Sequence, residues 1–149
     1  MYKKITLIII ILFTSSLLYL ANKYNAVNEN KFTYPKDFLP HYEQALNQFS
    51  IVGTIICFAC WIWVDIVVIK TKQLFWLFIP FLFTVFVALT YSNQSEKLFH
   101  FKKASGLWNG SFSMSGFFSY LIIIGAAFVL LLNYFGFKLY FKTQIKSSK

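Results

Sequence analysis

Four apolar blocks, Ile5–Ala21, Ile51–Ile69, Leu74–Tyr91 and Phe117–Phe137, occupy about half of the chain. Each is about as long as the roughly 20 helical residues that cross a bilayer core of about 30 Å. Lipid leaves a backbone only two ways to satisfy its polar groups, the helix and the closed barrel. Uninterrupted apolar blocks lack the alternation of barrel strands, so the pattern predicts an all-α membrane protein. The expected architecture is a four-helix transmembrane bundle formed by residues 1–149 as a single domain. Outer loops would cover 22–50 and 92–116.

The lysines orient that bundle. The chain has 14 basic residues, all of them lysine, and five acids. With the N-terminus inside, residues 1–4, 70–73 and 138–149 hold eight lysines and no acid, whereas the two outer loops carry six lysines and four acids. Unopposed lysine on one side is the positive-inside pattern, so both termini are expected in the cytoplasm, at a bacterial inner membrane. The lysines flank the apolar blocks and form no single patch, which argues against a nucleic-acid partner despite the net charge of +9. The first block also has the n-region and h-region of a signal peptide. Bulky Tyr19 and Tyr24 stand where a cleavage site wants small residues, so an uncleaved helix is the expectation.

Within the loops, Tyr42, Ala45, Leu46 and Phe49 recur at helical spacing. They predict a short amphipathic helix started by Pro40. It would either lie on the outer interface or extend the second span outward. Lys97–Lys103 and Ser111–Ser115 alternate around a connection containing Asn109-Gly110, which suggests a β-hairpin. Phe99, Phe101, Trp108 and Phe112 would then offer an outer contact surface. Pro80, inside the third block, should kink that helix and makes a candidate hinge.

The second block carries the clearest pattern. Ser50, Gly53, Thr54, Cys57, Cys60, Trp61, Val64 and Asp65 share one helical face. Small and weakly polar residues let membrane helices approach closely, so this face should turn towards the bundle. Asp65 is the sole acid in any block, and an ionisable residue in a span is a functional candidate by default. Its plain alternative is a shallow carboxylate hydrated from the cytoplasm or paired with a lysine at a helix end. Asn133 lies at a similar depth in the fourth block, on a face with Gly125, Val129 and Gly136. Asp65 and Asn133 are expected to meet across helices, with Lys70 or Lys138 nearby.

The enzymatic signals are few. Cys57-Phe58-Ala59-Cys60 resembles the CxxC of bacterial quinone-linked disulfide-generating membrane proteins, which also have four spans. That resemblance implies thiol-disulfide chemistry by Cys57 and Cys60. The plainer reading of the pair is two small buried hydrophobes, and the second cysteine pair of that family is missing. His41 and His100 are outside the blocks, so no metal or other cofactor is expected. A small transporter or channel component using Asp65 is a further alternative. The layout as a whole resembles the immunity proteins of pore-forming colicins, small inner-membrane proteins with cytoplasmic ends. The leading expectation is therefore a protein that acts on another membrane or membrane-active protein within the bilayer, as an immunity protein or as an accessory subunit of a complex.

Overall fold

The structure, a computed structural model, describes residues 2–26, 35–107 and 114–147. Four helices follow one another: α1 (Tyr2–Ala26), α2 (Pro35–Thr71), α3 (Phe78–Ala104) and α4 (Ser115–Ser147), with a 3-10 turn at Leu74–Leu77 leading into α3. Three segments are long and apolar enough to cross a membrane: Leu39–Thr71, Leu74–Ala104 and Ser115–Gln144. The apolar run described in α1, Lys4–Tyr19, is shorter.

The helices pack in chain order, and each pair is antiparallel. Near one end Trp63 of α2 meets Thr6 of α1, and further along Leu17 joins the core of Tyr42, Ala45, Leu46 and Phe49. Between α2 and α3, Gly53 faces Val87 and Tyr42 reaches Gln94. Between α3 and α4, Ser92 faces Gly116. The start of α1, the 70–77 turn and the end of α4 therefore share one end of the bundle.

The sequence pattern accounts for the long second helix. Pro35 occupies its first position, where a missing N–H costs nothing and a fixed φ is preorganised. Pro40 lies inside the helix and is not its start. At 37 residues α2 is about 55 Å long, so it reaches well beyond a bilayer core of about 30 Å. The expected amphipathic helix is thus the N-terminal extension of the helix that carries the second apolar block. Its apolar face is buried: Tyr42, Ala45, Leu46 and Phe49 are all less than 9% exposed.

Against that extension packs the end of α3, which corrects the expected hairpin. Lys97–Lys103 is helical, and no strand occurs among the described residues. Tyr91, Leu98 and Phe101 enter the core shared with Phe49 and Leu46. Their i, i+7, i+10 spacing outweighs an alternation only seven residues long. Phe99 and Phe101 are about 200° apart on a helix and share no face. Trp108, Phe112 and most of the second expected arm lie outside the described residues. The pair is tied by a Tyr42 hydroxyl donating to Gln94 Oε1 at 2.6 Å and by a Glu43–Lys102 ion pair. Gly106, at φ +71°, stops α3. Leu107 N–H donates to Lys102 O and Gly106 N–H to Lys103 O, the two bonds of a Schellman cap.

Pro80 is the third residue of α3, behind the 3-10 turn. The first-turn amides of a helix have no intrahelical acceptor, so the proline costs little there. The break in the third apolar block is that 3-10 turn ahead of Pro80, not a kink inside a continuous helix.

Candidate functional site

A groove runs between α2 and α4, with α3 as its floor. Its larger section, about 600 Å³, extends from Ser50, Tyr91 and Ser119 at one end to Asp65 and Asn133 at the other, past Thr54, Cys57, Trp61, Thr84 and Val129. A second section of about 440 Å³ meets it at Asn133 and is walled by Ile69, Leu132, Gly136, Phe137 and Tyr140. From Ser50 to Ile69 the groove follows α2 for about 28 Å at helical rise. That is close to the thickness of a bilayer core.

The polar stripe of α2 divides along its length. Ser50, Thr54, Cys57, Trp61 and Asp65, at intervals of three or four residues, line the groove. Gly53, Cys60 and Val64 are buried. A Cβ on Gly53 would stand 2.8 Å from Val87 Cγ1, so only glycine lets α2 and α3 come this close. Cys60 and Val64 join Val68 and Leu77 in a second core cluster, with Phe13, Leu130, Tyr134 and Phe137 around it.

The groove's polar groups differ in how they are satisfied. Thr54 Oγ1 donates to Ser50 O at 2.7 Å, and Thr84 Oγ1 donates to Pro80 O at 2.8 Å. These hydroxyls turn back onto their own helices, a common arrangement for Ser and Thr in apolar surroundings. Asp65 Oδ1 is different: it is buried and has no hydrogen-bond partner. Two ion pairs occur among the described residues, His100–Glu96 and Lys102–Glu43, and neither involves Asp65. The expected lysine partner is therefore not found at this carboxylate. Lys70 follows Asp65 by five residues, about 140° around the helix, so it points away from the groove. Lys138 stands in the same relation to Asn133. The structure places Asp65 and Asn133 on opposite walls of the same groove, and Asp65 Oδ1 accepts nothing from Asn133.

Helix α4 gives the groove a sparse second wall. Among its described side chains only Ser119 and Ala126 are buried. A Cβ at Gly125 or Gly136 would have nothing within 4 Å, so these glycines do not serve close packing inside the chain as Gly53 does. Cys57 and Cys60 are both free thiols. Cys57 lines the groove beside the Thr84 hydroxyl. Cys60 is 2% exposed inside the second core, so the two sulfurs sit in different surroundings. No group of three metal-binding side chains occurs among the described residues.

Several participants carry no motif. Tyr91, Thr84 and Ser119 line the groove from α3 and α4. Trp63 Nε1 donates to Thr6 Oγ1 at 3.2 Å, and that hydroxyl donates to Tyr2 O at 2.8 Å, which ties α1 to α2. A signal for Ser119 was available: Ser119, Ile122, Ala126, Val129 and Asn133 follow one helical face of the fourth block. Comparison with family models, with curated proteins and with solved structures finds no match.

Proposed function

We propose that this chain is a four-span protein of a bacterial inner membrane, with both termini cytoplasmic, that acts by receiving a transmembrane helix of another membrane protein. The partner helix docks in the α2/α4 groove. One observation carries this reading: a trough as long as a bilayer core is thick, with an open glycine, Gly136, on its α4 side. Glycine in a helix interior costs about 1 kcal/mol relative to alanine. At Gly53 the close approach of Val87 offsets that cost. At Gly136 nothing in the described chain does, which fits a neighbour supplied from outside. Lysine density on the end shared by the two termini supports the orientation.

An immunity protein against a pore-forming toxin would act this way, holding a toxin helix before it joins a channel. An accessory subunit would hold a helix of its complex. A photo-crosslinking residue at Val129 should yield a discrete protein adduct in cells, and one at lipid-facing Ile62 should not. Gly136→Leu should abolish the Val129 adduct while leaving the bundle folded, because the added side chain fills open space. Equal adducts from both positions would remove the groove from consideration. Protection of toxin-sensitive cells on expression separates the immunity role from the accessory role.

A further inference from the structure

We infer that the groove selects its occupant by charge: Asp65 receives a lysine or arginine carried by the partner helix about one turn inside its cytoplasmic end. The inference rests on the groove reading above and adds the chemistry of the occupant.

The argument starts from the unmet acceptor. Asp65 is the only acid in the apolar blocks, and its Oδ1 is buried with no donor. The protein itself shuts this oxygen off from solvent, and a buried acceptor without a donor is costly. The groove's threonines do not help: Thr54 is eleven residues from Asp65, about 16 Å at helical rise, and Thr84 sits beside Cys57 and donates to Pro80 O. The nearest lysine in sequence, Lys70, points to the far side of α2. The donor therefore has to enter with the occupant. A neutral donor would leave the carboxylate's charge uncompensated in lipid, whereas a cation removes it. A basic residue on a partner helix has the mirror-image problem, and pairing with Asp65 relieves both at once. Asp65 lies four residues from Ile69, about 6 Å at helical rise, which sets the depth at which the cation must sit. Asn133 stands beside the same point, where the two sections of the groove meet, and its amide offers a second acceptor to the guanidinium or ammonium.

The test uses two synthetic transmembrane peptides with a leucine-alanine span and no tryptophan, each carrying a dansyl acceptor. One has a lysine one turn inside its cytoplasmic end; the other has leucine there. Each is titrated against the full chain in phosphatidylcholine vesicles, with energy transfer from the chain's four tryptophans, of which Trp61 lines the groove, as the signal. Interhelical polar contacts in membranes imply that the lysine peptide binds about threefold to twentyfold more tightly. That advantage should vanish in Asp65→Asn, a variant of nearly the same shape. Equal binding of both peptides to the wild-type chain would overturn the charge selection and leave the groove reading standing. The same holds if the lysine advantage survives Asp65→Asn. Binding of neither peptide would overturn both. Dodecylammonium protecting Cys57 from a lipophilic maleimide where the lysine peptide does not would assign the site to an amine amphiphile, and would overturn the inference.

Discussion

Gly53 and Gly125 allow a contact to be measured with helix propensity cancelled. Both are interior glycines of membrane helices, and both are replaced by alanine. At Gly53 the new Cβ would stand 2.8 Å from Val87 Cγ1 and 3.3 Å from Val87 Cγ2. Carbon atoms rest at about 3.5–4.0 Å, so α2 and α3 must part by about 0.7 Å or Val87 must move. Val87 is β-branched and has little rotamer freedom in a helix. Overpacking of this kind costs about 1–3 kcal/mol. At Gly125 a Cβ meets nothing within 4 Å. Both substitutions share the gain of about 1 kcal/mol from replacing glycine in a helix. Gly125→Ala should therefore stabilise by about that amount. Gly53→Ala should fall about 1–3 kcal/mol below it, and Val87→Ala should restore most of the loss in the double variant. The assay is reversible unfolding in mixed micelles by titrated dodecyl sulfate, followed by tryptophan fluorescence. If the two alanine variants are equally stable, or Gly53 and Val87 do not couple, the close approach of α2 and α3 is wrong.

Three further outcomes follow from single observations. Lys72 sits at φ 55° with its N–H on Val68 O, the αL cap of α2, so Lys72→Gly should raise stability by about 1 kcal/mol in the same titration. Tyr42→Phe removes the 2.6 Å bond to Gln94 and should cost about 0.5–1.5 kcal/mol, with amide exchange rising first in the outer ends of α2 and α3. A lipophilic maleimide should modify Cys57, which lines the groove, well before Cys60, which is 2% exposed; single Ser variants and mass spectrometry of the labelled chain distinguish the two sites.

The helical architecture was legible because lipid narrows the choices. Apolar blocks of bilayer length, separated by polar lysine-bearing segments, predict long helices, and the four described helices with the 3-10 turn at Leu74–Leu77 cover all four blocks. The face of α2 from Ser50 to Asp65 was legible for a related reason: small and weakly polar residues at helical spacing stand out against isoleucine and phenylalanine. The outer segments were read less well. Seven residues from Lys97 to Lys103 satisfy a two-residue period and a helical one alike. What decides between them is Tyr42, Leu46 and Phe49 on α2, some fifty residues away. The groove itself was not legible. It exists because α3 touches both α2 and α4 while Asp65 and Asn133 stand apart across it, and no local pattern encodes a gap between two helices.

In water an exposed phenylalanine or leucine points to an interface. In lipid it points to nothing, because the solvent is as apolar as the side chain. Ile55 and Ile62 are about 60% exposed, yet their face carries no polar group to be met and no glycine to be packed. A binding face in a bilayer has to be recognised by what lipid cannot supply. Hydrocarbon cannot donate to Asp65 Oδ1, and it gains no close backbone approach from Gly136. It also packs poorly into a trough bounded by fixed helices. The side of the bundle between α2 and α4 combines all three deficits. The deficits are of different physical kinds, and the proposed occupant, a rigid helix with one donor, would meet all of them where a mixture of acyl chains would not. That convergence, more than any one residue, directs attention to this side of the bundle.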